Sequence, residues 1–158
     1  MLSLSGVCFS QNLPDHVCER ISRSARKVLS SIGDADIRHE GGKGGSTGAG
    51  ICLFARYKNT VLGSDALGGR GVPSESVGRE AAGDLLVEIE GGGTLDVHAA
   101  DQLLPYMAMA NGPSRFSVGE VSDHLRTQAR LLPMFLDVDV RIGEGDLRFE
   151  VWVEPSHT

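Results

Sequence analysis

Along the chain the spacing of hydrophobic positions switches between two and three-to-four, and each switch predicts an element. Leu2 to Ser10 is apolar and β-rich. Asn12-Leu13-Pro14-Asp15 then offers an asparagine or aspartate to cap a helix over about Asp15 to Ser31, where Val17, Ile21, Ala25, Val28 and Leu29 fall three and four apart. Gly33 ends that helix, and Ile37 to Glu40 reads as a short strand. Gly41 to Gly50 is too rich in glycine to hold regular structure. Ile51 to Ala55 and Thr60 to Leu62 read as a hairpin turning near Lys58-Asn59. The loop Gly68 to Pro73 delivers the chain to a long helix from about Ser74 to Glu90, capped by Ser74 and striped by Val77, Ala81, Leu85 and Ile89.

Gly91-Gly92-Gly93 stops this helix and makes a natural boundary, dividing the chain into 1-92 and 93-158. Beyond it the pattern predicts a helix over about His98 to Ala110 and a strand over Arg115 to Val118. A helix over about Asp123 to Leu132 follows, then strands over Phe135 to Ile142 and Leu147 to Val153. Gly143-Glu144-Gly145-Asp146 is the turn between the last two. The fold class is α/β (α+β). The second segment is peculiar in having two helices for three strands, with no strand leading into its first helix.

The 158 residues are 41% apolar, enough for one ordinary core or two small ones. No run approaches the roughly 20 apolar residues that span a bilayer, and no signal core follows a basic start, so a cytoplasmic location is expected. Cys8, Cys18 and Cys52 are odd in number, far apart in sequence and form no Cys-x-x-Cys pair; they are expected to be small buried residues. A formal charge of −6 argues against broad, nonspecific nucleic-acid binding and confines any RNA contact to a local patch. Arg115, Arg126, Arg130 and Arg141 are either such a basic mouth or merely solvated faces.

The candidate chemistry lies in Asp96-Val97-His98-Ala99-Ala100-Asp101-Gln102 and in Ser122-Asp123-His124-Leu125-Arg126-Thr127. Imidazole attacks only when neutral, and a histidine in the first turn of a helix sees the positive end of the macrodipole, which disfavours imidazolium. The same outward-pointing amides favour bound phosphate. On spacing alone a surface or capping histidine is the better reading. Asp101-Gln102 opens an otherwise apolar helix and offers acceptors for ribose hydroxyls with a donor-acceptor pair for a base or phosphate. Stabilisation of a helix start by Asp101 is the alternative.

These two segments, with Ser74-Glu75-Ser76-Val77-Gly78-Arg79-Glu80-Ala81-Ala82 upstream, resemble the C-terminal part of the RNA 3'-terminal phosphate cyclase family. The resemblance implies a small inserted α/β domain followed by an incomplete β-α-β-α-β-β core repeat, with the family's first half absent. It implies ATP-dependent conversion of an RNA 3'-phosphate to a 2',3'-cyclic phosphate through a histidine-AMP intermediate on His124. His98, Asp101 and Gln102 become nucleotide contacts, His98 standing where relatives often carry an aromatic residue. ATP with magnesium or another divalent metal, and RNA ending in a 3'-phosphate, are the implied cofactors and partner. A chain lacking the first half would have little activity alone and would self-associate through the face left open. The rival reading is a non-catalytic RNA or ribosome-assembly binding protein on the same fold, although a binder has no need of His124.

Other assignments fit less well. The signature helix is read as structural, with Gly78 permitting close packing and Glu75 pairing with Arg79 at i, i+4. In Gly41 to Gly50, lysine is followed by glycine and Ser46-Thr47 come too late for a phosphate loop, so a mobile loop is expected. His39-Glu40 lacks the second histidine of a zinc protease, and no Gly-x-Ser-x-Gly elbow occurs around Ser46 or Ser114. Adjacent Ser122, Asp123 and His124 cannot align as a hydrolase relay, and no tight protein metal site is assigned.

Overall fold

In the computed structural model, which describes residues 1–155, the chain forms two units, Met1–Val87 and Glu88–Thr158. Helix α2 (Ser74–Gly91) runs through the division, and the triple glycine follows just beyond it.

In the first unit, alternation buries Leu4, Gly6, Cys8 and Ser10 of β1 (Ser3–Gln11) while their neighbours stay more exposed. Helix α1 (His16–Leu29) buries Cys18, Ile21, Ala25 and Leu29, one stripe at helical spacing. It connects β1 to β2 (Ala35–Gly42), which pairs with β1 in parallel, and β3 (Gly48–Arg56) and β4 (Val61–Leu67) complete the sheet in the order β2-β1-β3-β4. Two expectations change here. Asp15 occupies the cap position of α1 but its side chain makes no capping bond. The glycine-rich segment is largely strand: Gly41 and Gly42 pair with Ser10 and Gln11, while Gly48 and Gly50 pair with Gln11 and Phe9. Central β1 supplies ladder partners on both edges, and this tertiary context overrides glycine's weak strand propensity. Only residues 43–47 stay outside the strands, and Asn12 ties them down, its amide donating to Gly44 O and Ser46 O at 2.7 and 2.8 Å.

Of the cysteines, Cys8 and Cys18 are buried and Cys52 is partly exposed; all are free. Although ten positions apart, Cys8 and Cys18 meet, and burial, with the Cys18 thiol beside it, pushes the Cys8 thiol up to about 12.

The signature helix packs as Gly78 requires: a Cβ there would lie 2.1 Å from the Ile21 carbonyl oxygen of α1. Glu75 is paired differently from the sequence expectation. Arg20 of α1, not Arg79, donates to both its oxygens, from Nε at 2.7 Å and Nη2 at 2.8 Å, while Arg79 donates to Ser76 Oγ at 2.9 Å. A guanidinium across a close helix crossing presents a bidentate fork that an i, i+4 neighbour cannot. The Arg20 hydrogen bonds hold the Glu75 carboxyl down at about 2. Because this lies below the unfolded value of about 4.3, the pair's contribution is present above that pH and is lost as pH falls through about 2. Glu75→Gln should therefore flatten the acid limb of the melting temperature between these values. An acid limb identical to the parent's would show that the pair contributes nothing.

The second unit holds α3 (Val97–Ala108), β5 (Ser114–Val118), α4 (Asp123–Leu131), β6 (Val138–Glu144) and β7 (Phe149–Pro155), with sheet order β5-β7-β6, antiparallel throughout. A 3-10 turn, Leu132–Met134, follows α4, so the strand expected from Phe135 begins only at Val138. Ala100, Leu104 and Ala108 of α3 and Leu125 of α4 pack with Phe116, Val118, Val138, Val151 and Val153 of the sheet. The glycine triplet has steric reasons beyond stopping a helix. Gly91 backs onto Gly119, where a Cβ would meet Cα at 2.8 Å; Gly92 takes φ +62°; and a Cβ on Gly93 would lie 2.9 Å from Ser117 O. This lets Thr94 and Leu95 donate to Ser117 O at 2.8 and 3.1 Å beside β5. On the other edge, β6 has no further strand partner among the described residues. Among the described residues no helix is long and apolar enough to cross a membrane.

Candidate functional site

The site residues of the second unit are placed by two helix starts. Asp96, extended at φ −72° and ψ 165°, accepts the Ala99 N–H at 2.7 Å and caps α3, a bond typically worth about 1 kcal/mol. Glu88 Oε1 accepts the neighbouring Val97 N–H at 3.1 Å. Burial pushes the Glu88 carboxyl up from its ordinary range, and the Val97 N–H partly offsets this. Two carboxylates therefore meet the positive end of α3. Asp101 and Gln102 accordingly do not open the helix as the sequence suggested; they lie a full turn inside it. Asp96 and Glu88 were missed, although an aspartate three residues before Ala99 is a recognisable cap signal.

The continuous helix puts His98, Asp101 and Gln102 at i, i+3 and i+4, on one face. His98 and Gln102 are exposed and Asp101 is half-buried, while Ala100, Leu104 and Ala108 turn to the core. Tyr106, at 69% exposure, continues the His98-Gln102 line by one more turn.

Helix α4 is capped as its sequence predicted. Ser122, extended at φ −66° and ψ 160°, accepts the Leu125 N–H at 2.9 Å. Its hydroxyl proton goes to Asp101 Oδ1, 2.6 Å away. One serine thus closes the start of α4 and fastens it to the face of α3 carrying the other candidates. A carboxylate has about four acceptor positions, so Asp101 keeps capacity for a ligand. His124 is the second residue of α4, exposed, in the turn whose first amides lack intrahelical partners. Gln128, one turn further on, carries a buried Oε1 without a hydrogen-bond partner among the described residues.

The four arginines divide. Arg115 lies over the Trp152 ring at 5.4 Å and shares Glu150 with Arg148, and Arg141 pairs with Asp139 and Glu154, so both are engaged on the sheet. Arg126 and Arg130 remain exposed on α4. None of His98, Asp101, Gln102 and His124 lines the cavity of about 370 Å³ that Glu90, Gly92, Asp146 and Arg148 help form. Among the described residues no group of three or more His, Cys, Asp or Glu is placed to hold a metal ion.

Residues 1–90 match the family model described as RNA 3'-terminal phosphate cyclase, insert domain. Proteins named RNA 3'-terminal phosphate cyclase resemble nearly the whole chain. That of Pyrobaculum neutrophilum is 40% identical over 154 residues, covering 96% of this chain and 44% of the relative. That of Methanosarcina mazei is 42% identical, covering 97% and 42%, and that of Archaeoglobus fulgidus 45% identical, covering 89% and 42%. The chain therefore spans less than half the length of these relatives.

Proposed function

Because the chain belongs to the RNA 3'-terminal phosphate cyclase family, we propose that it forms part of an ATP-dependent enzyme that cyclises RNA 3'-phosphates, with His124 as nucleophile. An imidazole nitrogen of His124 attacks the α-phosphorus of ATP; an N–P bond forms, and the P–O bond to departing pyrophosphate breaks. An oxygen of the RNA 3'-phosphate then takes the AMP, breaking the N–P bond and freeing His124. Finally the adjacent 2'-hydroxyl oxygen attacks the 3'-phosphorus, giving up its proton and expelling AMP to leave the 2',3'-cyclic phosphate. Passing through a phosphoramidate splits one hard condensation into easier displacements. A divalent metal accompanying ATP would neutralise triphosphate charge.

The observation that carries this reading is the 2.6 Å bond from Ser122 to Asp101, which joins the helix start bearing His124 to the face bearing His98, Asp101 and Gln102. A phosphate at the first turn of α4 would meet outward amides, while Asp101, Gln102 and the His98 ring offer contacts for ribose and base. The decisive experiment is mass spectrometry of the protein after incubation with ATP and magnesium. A covalent AMP on His124 is expected, and its absence in a form carrying the rest of the family core would assign the chain a binding role instead. Assayed by itself, the chain should turn over little RNA, because it spans under half of its relatives and, among the described residues, the outer edge of β6 has no strand partner, with Met134 and Phe135 exposed nearby in sequence. Efficient cyclisation by these residues alone would contradict that dependence.

Gln102→Ala should weaken nucleotide binding by about 0.5–1.5 kcal/mol without changing the melting temperature, since Gln102 is exposed. Asp101→Ala should weaken binding and also lower stability, because it removes the partner of Ser122. Comparison with Ser122→Ala in nucleotide titrations and thermal melts separates the effects. Unchanged nucleotide affinity in both Asp101→Ala and Gln102→Ala would leave this face of α3 a purely structural role.

A further inference from the structure

The signature helix acquires a second role from what lies beside its crossing with α1. Next to the backbone contact at Gly78, a cleft of about 390 Å³ is lined by Arg20, Arg23, Ser24 and Lys27 of α1 and by Glu75 and Arg79 of α2. Four cations thus surround one carboxylate in a chain whose formal charge is −6. Arg20, Arg23 and Lys27 fall at i, i+3 and i+7, on one face of α1. Glu75 holds Arg20 in place through both its oxygens, and Ser76 holds Arg79. Arg23 and Lys27 are exposed and take no carboxylate partner among the described residues. Gathering like charges costs repulsion unless a polyanion relieves it, and guanidinium forks with ammonium groups suit phosphate oxygens. Arg23 and Lys27 stand four residues, about 6 Å, apart along the helix, a step that successive phosphates of an extended strand can follow.

We propose that this cleft binds internal backbone phosphates of single-stranded RNA, holding the substrate of the reaction proposed above by contacts that ignore its sequence and its 3' end. The choice of RNA rests on the cyclase reading; the preference for a polyanion rests on the cleft.

The test is fluorescence anisotropy of the full chain with two oligouridylates, one ending in a 3'-phosphate and one in a 3'-hydroxyl, across a salt series. Both should bind the parent, and the double variant Arg23→Gln with Lys27→Gln should bind both more weakly. Each phosphate contact on a single strand contributes about 0.7 to the slope of log affinity against log salt. The parent should therefore lose about sevenfold more affinity than the variant between 50 and 200 mM salt. The charge-conserving double variant Arg23→Lys with Lys27→Arg should retain binding, and matching thermal melts exclude misfolding. Equal affinity and equal salt slope in the parent and the glutamine variant would overturn the proposal. So would binding that requires the 3'-phosphate and vanishes in His124→Ala alone. Displacement of RNA by polyglutamate at equal charge concentration would assign the cleft to an acidic protein segment and overturn the RNA choice. Failure to form covalent AMP would sink the cyclase reading while leaving these binding outcomes intact.

Discussion

His124→Ala is expected to abolish the acid-labile, histidine-linked AMP adduct in a protein carrying the rest of the family core. The only nitrogen nucleophile that α4 offers beside its capping serine is this imidazole, and alanine has no replacement. Stability should be unaffected, since His124 is exposed and its helix is closed by Ser122 and by the burial of Leu125. Peptide mapping after incubation with labelled ATP, with a thermal melt alongside, checks both parts. Adduct retained at full level would refute the assignment, and label moving to His98 would show that the other histidine of the site is the acceptor.

The second large effect concerns stability in the first unit. Gly78 and Gly83 lie in the same helix five residues apart, and helix propensity alone predicts that alanine at either stabilises by roughly 0.5–1 kcal/mol. Packing separates them. A Cβ on Gly83 meets nothing within 4 Å, whereas one on Gly78 would lie 2.1 Å from Ile21 O and 3.0 Å from Ala25 N. Those are backbone atoms and cannot rotate aside, so α1 and α2 must move apart, uncovering Val77, Ala81 and Ile21. Gly83→Ala should stabilise by about 0.5–1 kcal/mol, and Gly78→Ala should destabilise by about 1–3 kcal/mol. Urea denaturation of the two variants is the measurement. Equal stabilisation by both would mean that the helices do not touch at Gly78.

What the amino-acid order determined by itself is local. The stripe Ile21, Ala25 and Leu29 and the stripe Val77, Ala81 and Leu85 marked two helices and their buried faces, because burial repeats with the period of the backbone. Ser122 announced the start of α4, because a cap bonds an amide three residues away. The family was legible for the same reason: its motifs are short and contiguous. Tertiary structure decided wherever the partner is distant in the chain. Gly41, Gly42, Gly48 and Gly50 are strand because β1 presents unfilled hydrogen bonds on both edges, which no local propensity reveals. Glu75 chose Arg20, 55 residues away, over Arg79, four away, since the close approach at Gly78 brings a guanidinium within bidentate reach. Asp101 likewise found Ser122, 21 residues on, and that bond gathers the candidate site. Periodicity shows which side of an element is buried, but only the packed chain shows which neighbour it meets.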